Sequence, residues 1–442
     1  MDSIVRPTPE QQPAPTQALT LRPDPELARQ VRARLASADT APGSDDYLRA
    51  WWDWYLGLAG QPELQLALVQ DAIARGADLW RFALFAAAGQ PLAHDRALPQ
   101  ESQDPHFANE AWNQFPYNLY ARGYTQLRQW SESALSASPE VTPQNAQRLD
   151  FLQRQLLDIV SPAHYLLTNP ELLEQTRSES GANLMRGAQY WLEDAARTLC
   201  GGAVPGTENF RIGVQVAATP GKIVMRNALI ELIQYSPQGT SVYAEPILIT
   251  PAWIMKYYIL DLSERNSLVK YLVEQGHTVF MISWKNPTAT DRDLGMDDYV
   301  ELGLRAALDA VSAIVPGPRI HTVGYCIGGT LLSVGAAALA GAGDRRIASV
   351  TLLAAQTDFS EPGELSVFIS PTQLALLEAQ MQRDGVLKSE SMGTAFALLR
   401  SSDLIWAPAV NQYVRGQRAS INDLMAWNAD GCLLYTSDAA DE

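Results

Sequence analysis

The sequence predicts an all-α region followed by an α/β region built on a parallel sheet, and three observations carry that prediction. Apolar residues recur at helical spacing as far as residue 200. Beyond it, short apolar runs alternate with helical patterns, which is the signature of a parallel sheet. Finally, a tight turn, Gly324-Tyr325-Cys326-Ile327-Gly328, follows one of those apolar runs directly and opens a helical pattern.

Composition sets the limits. The 442 residues are 47% hydrophobic and 19% charged, enough for two or three globular domains with a large core. A net charge of -16 argues against sequence-independent binding to nucleic acid, whose affinity comes from Lys and Arg on phosphates; a local basic patch for an anionic substrate remains allowed. Cys200, Cys326 and Cys432 lie too far apart for a metal-ligand spacing or a disulfide framework. A reducing, cytoplasmic setting without metal or cofactor is therefore expected. Residues 1–22, rich in Pro, Gln and Thr, lack a secretory signal and are expected to be a disordered lead-in. The longest apolar stretch, 331–342, is short of the roughly 18 residues of a membrane span.

Residues 23–205 are expected to form a helical N-terminal domain. Leu64, Leu68, Val69 and Ala72 share one helix face, and Leu149, Leu152, Leu156 and Ile159 another. A single long helix is expected over 170–199, with Asn169 as its N-cap and Pro170 at its first position. Seven of the eleven tryptophans fall in this region, Trp51, Trp52 and Trp54 among them, either as helix core or as an apolar contact surface. Cys200-Gly201-Gly202-Ala203-Val204-Pro205-Gly206 reads as a linker.

A second domain is expected over 206–358. Thr219-Pro220-Gly221-Lys222 reads as a turn and 228–235 as a strand, together giving antiparallel edge strands. The alternation then runs strand 246–250, helix 263–275, strand 278–284, helix 297–315, strand 320–323, helix 329–340 and strand 348–354. Val300, Leu304, Leu308, Val311 and Ile314 line one face of the fourth of these, and Pro316-Gly317-Pro318 ends it. After Phe359 the alternation stops. Residues 366–382 and 395–413 read as amphipathic helices, so 359–431 is expected to be a cap over the site.

A Gly-x-Cys-x-Gly turn between strand and helix is a nucleophile elbow, in which flanking glycines let the chain turn sharply and hold the side chain at the carboxyl edge of the sheet. The fold expected is thus α/β-hydrolase-like, with Cys326 as a covalent nucleophile. A cysteine attacks as its thiolate, which a helix N-terminus or an imidazole favours. Oxyanion donors are expected from the backbone N–H of Ile327, after the nucleophile, and of Ile254, in the loop after an earlier strand. Asp261 and Asp358 are auxiliary candidates, each with a bland alternative as a structural or capping residue. In such folds the acid and then the histidine follow the nucleophile, yet the last histidine here is His321. That residue lies five positions before Cys326, about 16 Å back along its strand. His277 begins its strand, and His94, His106 and His164 belong to the helical region.

Taken together, several stretches resemble the polyhydroxyalkanoate synthases. They are Thr168-Asn169-Pro170-Glu171, Thr219-Pro220-Gly221-Lys222-Ile223-Val224, Ile230-Glu231-Leu232-Ile233-Gln234-Tyr235, Lys256-Tyr257-Tyr258-Ile259-Leu260-Asp261-Leu262, Glu274-Gln275-Gly276-His277-Thr278-Val279-Phe280, Ser283-Trp284 and the elbow through Gly329. The resemblance implies a cytoplasmic acyltransferase that polymerises (R)-3-hydroxyacyl-CoA into polyester and releases CoA, with Cys326 carrying the growing chain as a thioester. It further implies a single-subunit type that works as a homodimer at the surface of polyester granules, with coenzyme A entering only as the substrate's thioester. Met255 stands where the family usually has Asn, and a thioether lacks an amide's donors and acceptor. The likeness stops after Gly431, so 432–442 is expected to mark a truncation or a foreign end, with the family's Asp and His beyond it and this chain inactive. Two other readings stay open: a cysteine thioesterase or polyester hydrolase, and a non-catalytic fragment that binds a synthase or a granule.

Overall fold

A computed structural model describes residues 44–88, 104–137, 141–200, 202–387, 394–395 and 397–432. The expected lead-in, 1–22, and the expected foreign end beyond residue 432 lie outside the described residues. The described residues all fall within one compact unit.

Among the described residues six α-helices come first: α1 (Ser44–Ala59), α2 (Pro62–Ala87), α3 (Tyr117–Ser136), α4 (Pro143–Val160), α5 (Pro170–Ser178) and α6 (Ala182–Cys200). Asn169 caps α5 as expected, its Oδ1 accepting the N–H groups of Glu171 at 2.9 Å and Leu172 at 3.2 Å. The single helix expected over 170–199 is in fact two. Ser180 and Gly181 take φ values of 54° and 82°, and the Gly181 N–H returns to the Thr176 carbonyl at 2.8 Å, a left-handed stop that glycine makes cheap. The tryptophans divide between buried and exposed positions. Trp112 is 2% exposed in a small core with Phe107, Ala121 and Ala163, whereas Trp51 and Trp52 face outward and Trp51 stacks on Tyr55 with ring centroids 5.3 Å apart.

Among the described residues the sheet has six strands, β1 (Gly221–Arg226), β2 (Ile230–Tyr235), β3 (Ile247–Thr250), β6 (Val279–Trp284), β7 (Ile320–Tyr325) and β8 (Ile347–Leu353), in the order β1-β2-β6-β3-β7-β8. The first pairings, β1 with β2 and β2 with β6, are antiparallel; the rest are parallel. The expected antiparallel pair is present, but only β1 is an edge, because β2 sits inside against β6. The helix expected over 263–275 is shorter, α7 (Leu268–Glu274), and a small hairpin of β4 (Asp261–Ser263) and β5 (Asn266–Ser267) precedes it. Ser267 fixes that start by accepting the Lys270 N–H at 2.8 Å, a bond a mid-helix serine could not offer.

Both faces of the central strands are covered, which explains their continuous apolar runs. Leu232, Leu248, Phe280 and Ile282 pack with Leu304, Leu308 and Leu332 on one side; Ile233, Ile249, Val279 and Met281 pack with Val269 and Val273 on the other. The helix expected over 297–315 runs from Met296, passes through a π-helical stretch at Tyr299–Arg305 and ends as α8 (Ala306–Ile314). β7 leads through the elbow into α9 (Ile327–Gly341). β8 differs from its neighbours: Val350 and Leu352 are 41% and 38% exposed, and among the described residues no strand pairs with its outer edge.

After β8 come α10 (Pro371–Asp384), a helix of alternating π and α turns over 402–414, and α11 (Asp423–Cys432). The part expected to be a cap is fastened to the N-terminal helices. Arg148 and Gln144 donate to the Ile369 carbonyl at 3.2 and 3.0 Å, Ser401 donates to Asp158 at 2.6 Å, and Tyr413 donates to Asp194 at 3.0 Å.

Candidate active site

At the carboxyl end of β7 the chain reverses through Cys326, whose φ of 54° and ψ of -132° place a non-glycine residue in strained backbone. Two bonds hold it there: its N–H donates to the Leu353 carbonyl at 2.9 Å, and its carbonyl accepts the Gly329 N–H at 2.9 Å. The glycines around it are steric necessities. A Cβ on Gly324 would lie 2.4 Å from Gly329 Cα, one on Gly328 2.3 Å from the Pro251 oxygen, and one on Gly329 2.5 Å from Ala355 Cβ. Strand, helix start and the loop after β3 thus meet at close contact, and only Gly fits.

Cys326 is the half-buried N-cap of α9, so the helix directs its unsatisfied N–H groups and positive dipole end toward the thiol. The helix begins two residues earlier than expected, which makes Ile327 its first residue. Among the described residues the Ile327 N–H donates to no backbone carbonyl outside α9, and the Ile254 N–H, which lies in no helix, donates to none. Ile254 lies in the turn after β3, and β3 pairs with β7 so that Thr250 stands beside Gly324. The loop therefore leaves the sheet next to the elbow.

Indole donors grip that loop at both ends. Trp284 Nε1, at the end of β6, donates to the Pro251 carbonyl at 2.8 Å, and Trp427 Nε1 in α11 donates to the Lys256 carbonyl at 2.9 Å. Just beyond, the Tyr258 hydroxyl donates to Asp430 at 2.6 Å. Sequence reasoning gave these tryptophans no role, because a grip across the sheet edge leaves no local spacing to read. The Ser283-Trp284 dipeptide within the matching stretches was the one available signal.

The two auxiliary aspartates are committed elsewhere. Asp261, 2% exposed, accepts the hydroxyls of Ser267 at 2.6 Å and Thr219 at 2.5 Å, and burial pushes its carboxyl above the usual range. It lines a cavity of about 270 Å³ with Thr219, Ser263, Glu264 and Lys270, not the elbow. Asp358 is exposed and accepts the Ser360 N–H at 2.9 Å; that bond holds its carboxyl below the usual range and marks a turn-forming role.

None of the described histidines reaches the elbow. His321 pairs in register with Ile247, the first residue of β3, and its Nδ1 lies 2.7 Å from Ser349 Oγ, at the amino edge of the sheet. His277 precedes Val279, which also pairs with Ile247. His106 and His164 line a charged cavity of about 500 Å³ against residues 399–403. There Asp104, 2.7 Å from His106 Nδ1, raises the His106 pKa, whereas burial lowers that of His164. His94 lies outside the described residues.

Residues 103–272 match the model of the poly-beta-hydroxybutyrate polymerase (PhaC) N-terminus, and residues 245–432 match that of the alpha/beta hydrolase fold. A poly(3-hydroxyalkanoate) polymerase of Methylorubrum extorquens is 41% identical over 332 residues, which are 74% of this chain and 54% of that protein. The chain belongs to the poly(3-hydroxyalkanoate) polymerase family. A second member, a poly(3-hydroxyalkanoate) polymerase subunit PhaC of Rhizobium meliloti, is 36% identical over 80% of this chain and 58% of its own length. The chain thus spans somewhat over half the length of these polymerase relatives. Among solved structures, an alpha/beta hydrolase from the metagenome of Lake Arreo is 20% identical, with a TM-score of 0.26, over 48% of this chain and 67% of its own. The expected α/β-hydrolase-type fold agrees with the matched model and with the strand order found here. No helix among the described residues is long and apolar enough to cross a membrane.

Proposed function

We propose that this polymerase-family chain accepts (R)-3-hydroxyacyl groups from CoA on Cys326 and, with a base that the described residues do not supply, extends them into polyester. The observation that carries this reading is the elbow: a cysteine at φ 54°, at the head of α9, beside the loop that leaves β3. In the first step the Cys326 thiolate attacks the thioester carbonyl. The oxyanion of the tetrahedral intermediate meets the N–H groups of Ile327 and Ile254, the bond to the CoA sulfur breaks, and CoA leaves to take up a proton. The exchange of one thioester for another is nearly balanced, so the acyl group stays reactive. In the second step the hydroxyl of another hydroxyacyl group attacks that carbonyl; an ester C–O bond forms, the C–S bond to Cys326 breaks, and the hydroxyl proton passes to a base.

That proton has no histidine acceptor among the described residues near the elbow. The chain by itself is therefore expected to load an acyl group without sustained turnover, and the full activity, the homodimer and the association with cytoplasmic granules belong to this reading too. CoA release from 3-hydroxybutyryl-CoA tests it: the expected yield is at most one equivalent per Cys326. Sustained release lost in Cys326→Ala would overturn the claim of stalled turnover, and free hydroxy acid as the product would favour a hydrolase.

A further inference from the structure

We propose that Trp284 is a positioning residue for acyl transfer, setting the oxyanion loop against the elbow through its indole N–H; this rests on the reading of Cys326 as acyl carrier. The Pro251 carbonyl is the point where loop and elbow touch. On one side it accepts Trp284 Nε1 at 2.8 Å; on the other it lies so close to Gly328 that a Cβ there would come within 2.3 Å of it. The peptide that begins the loop is thereby held between β6 and the first turn of α9. Ile254 and Ile327, the two proposed donors, stand on either side of that contact, so their spacing follows from where Trp284 holds Pro251.

Trp284 is itself held. Its ring lies 5.4 Å from that of Tyr299 and 6.4 Å from that of Trp253, which makes a third contact with Tyr299 at 5.3 Å. The π-helical stretch Tyr299–Arg305 brings Gly303 beneath the indole, where a Cβ would come within 2.5 Å of it. π-helical turns widen a helix locally and recur at functional sites. Here the widened turn presents both the ring that packs on Trp284 and the glycine that admits it. Hydrophobic packing alone would not need the nitrogen aimed at Pro251. The hydrogen bond is what links the aromatic group to the loop.

The test uses the whole chain and three readings. Trp284→Phe keeps an aromatic ring and removes the donor; Gly303→Ala displaces the ring from beneath. For each variant one measures single-turnover acylation of Cys326 by 3-hydroxybutyryl-CoA, alkylation of Cys326 by iodoacetamide, and hydrogen exchange of the amides at 252–256. Alkylation forms no oxyanion, so it reports only access and thiolate. The expected result is acylation slowed about 10- to 100-fold, as for a small misplacement of reacting groups, alkylation within about twofold of wild type, and faster exchange at 252–256. Unchanged exchange in Trp284→Phe would overturn the inference whatever the acylation rate. So would acylation that is unaffected, or that falls in step with alkylation. A wild-type chain that takes no acyl group would instead overturn the acyl-carrier reading, while exchange would still decide whether Trp284 holds the loop.

Discussion

Replacing Gly328 by alanine should damage stability and chemistry together, because the added methyl meets backbone on two sides. It would sit 2.3 Å from the Pro251 oxygen, 2.5 Å from the Pro251 carbon and 2.5 Å from the Thr250 oxygen. No side chain can swing away to relieve this. Relief to a tolerable 3.0 Å requires a shift of about 0.7 Å between α9 and the loop after β3. Overpacking of this kind costs about 1–3 kcal/mol, and a displacement approaching 1 Å between oxyanion donors and nucleophile costs about 100-fold in rate. Gly341→Ala, at the far end of the same helix, is the control: nothing lies within 4 Å of its Cβ position, so it should be neutral or stabilise by about 0.5–1 kcal/mol. Urea unfolding measures the first effect and single-turnover acylation of Cys326 the second. If Gly328→Ala matched Gly341→Ala in both, the close contact between elbow and loop would be wrong.

Burial raises the Asp261 carboxyl above its unfolded value near 3.9, so its contribution to stability is present below that value and is lost as pH rises through the folded one. Asp261→Asn, whose Oδ1 can still accept from Thr219 and Ser267, should gain on wild type as pH rises through that window and then hold a constant advantage; thermal unfolding across pH would show a flat difference if the acid is not strained by burial. NMR titration should place His106 above the ordinary histidine value and His164 below it, and Asp104→Asn should bring His106 down, since the Asp104 hydrogen bond is the largest cause of its rise; an unmoved His106 would contradict that pairing. On β8, Val350 projects from an edge that is unpaired among the described residues, so Val350→Lys should lower concentration-dependent association seen by light scattering, and no change would show that this edge does not template it.

Much of the site was legible because its constraints are local. An elbow needs glycines within a few residues of its nucleophile, and Gly324, Gly328 and Gly329 announced it from spacing alone. The parallel strands were legible too, since burial on both faces writes Val, Ile and Leu in unbroken runs. Where sequence reasoning failed, a short polar signal overrode a longer pattern. Ser180-Gly181 split one long helix into α5 and α6, and Ser267 shortened the next by capping it late. Asp261 and Asp358 stood open between an auxiliary and a structural or capping role, and in the fold they accept hydrogen bonds from Thr219, Ser267 and Ser360, partners that no spacing announces. The grip of Trp284 and Trp427 on the loop after β3 joins residues 33 and 171 positions apart, and no periodicity encodes such a contact.

The central claim is that Cys326 takes the acyl group. Incubating the chain with 3-hydroxybutyryl-CoA at mildly alkaline pH and mapping the product by mass spectrometry tests it most directly. The account predicts one hydroxylamine-labile 3-hydroxybutyryl adduct on the peptide that contains Cys326, absent from Cys326→Ala. An adduct on Cys200 instead, or none on a folded chain whose Cys326 still reacts with iodoacetamide, would contradict it.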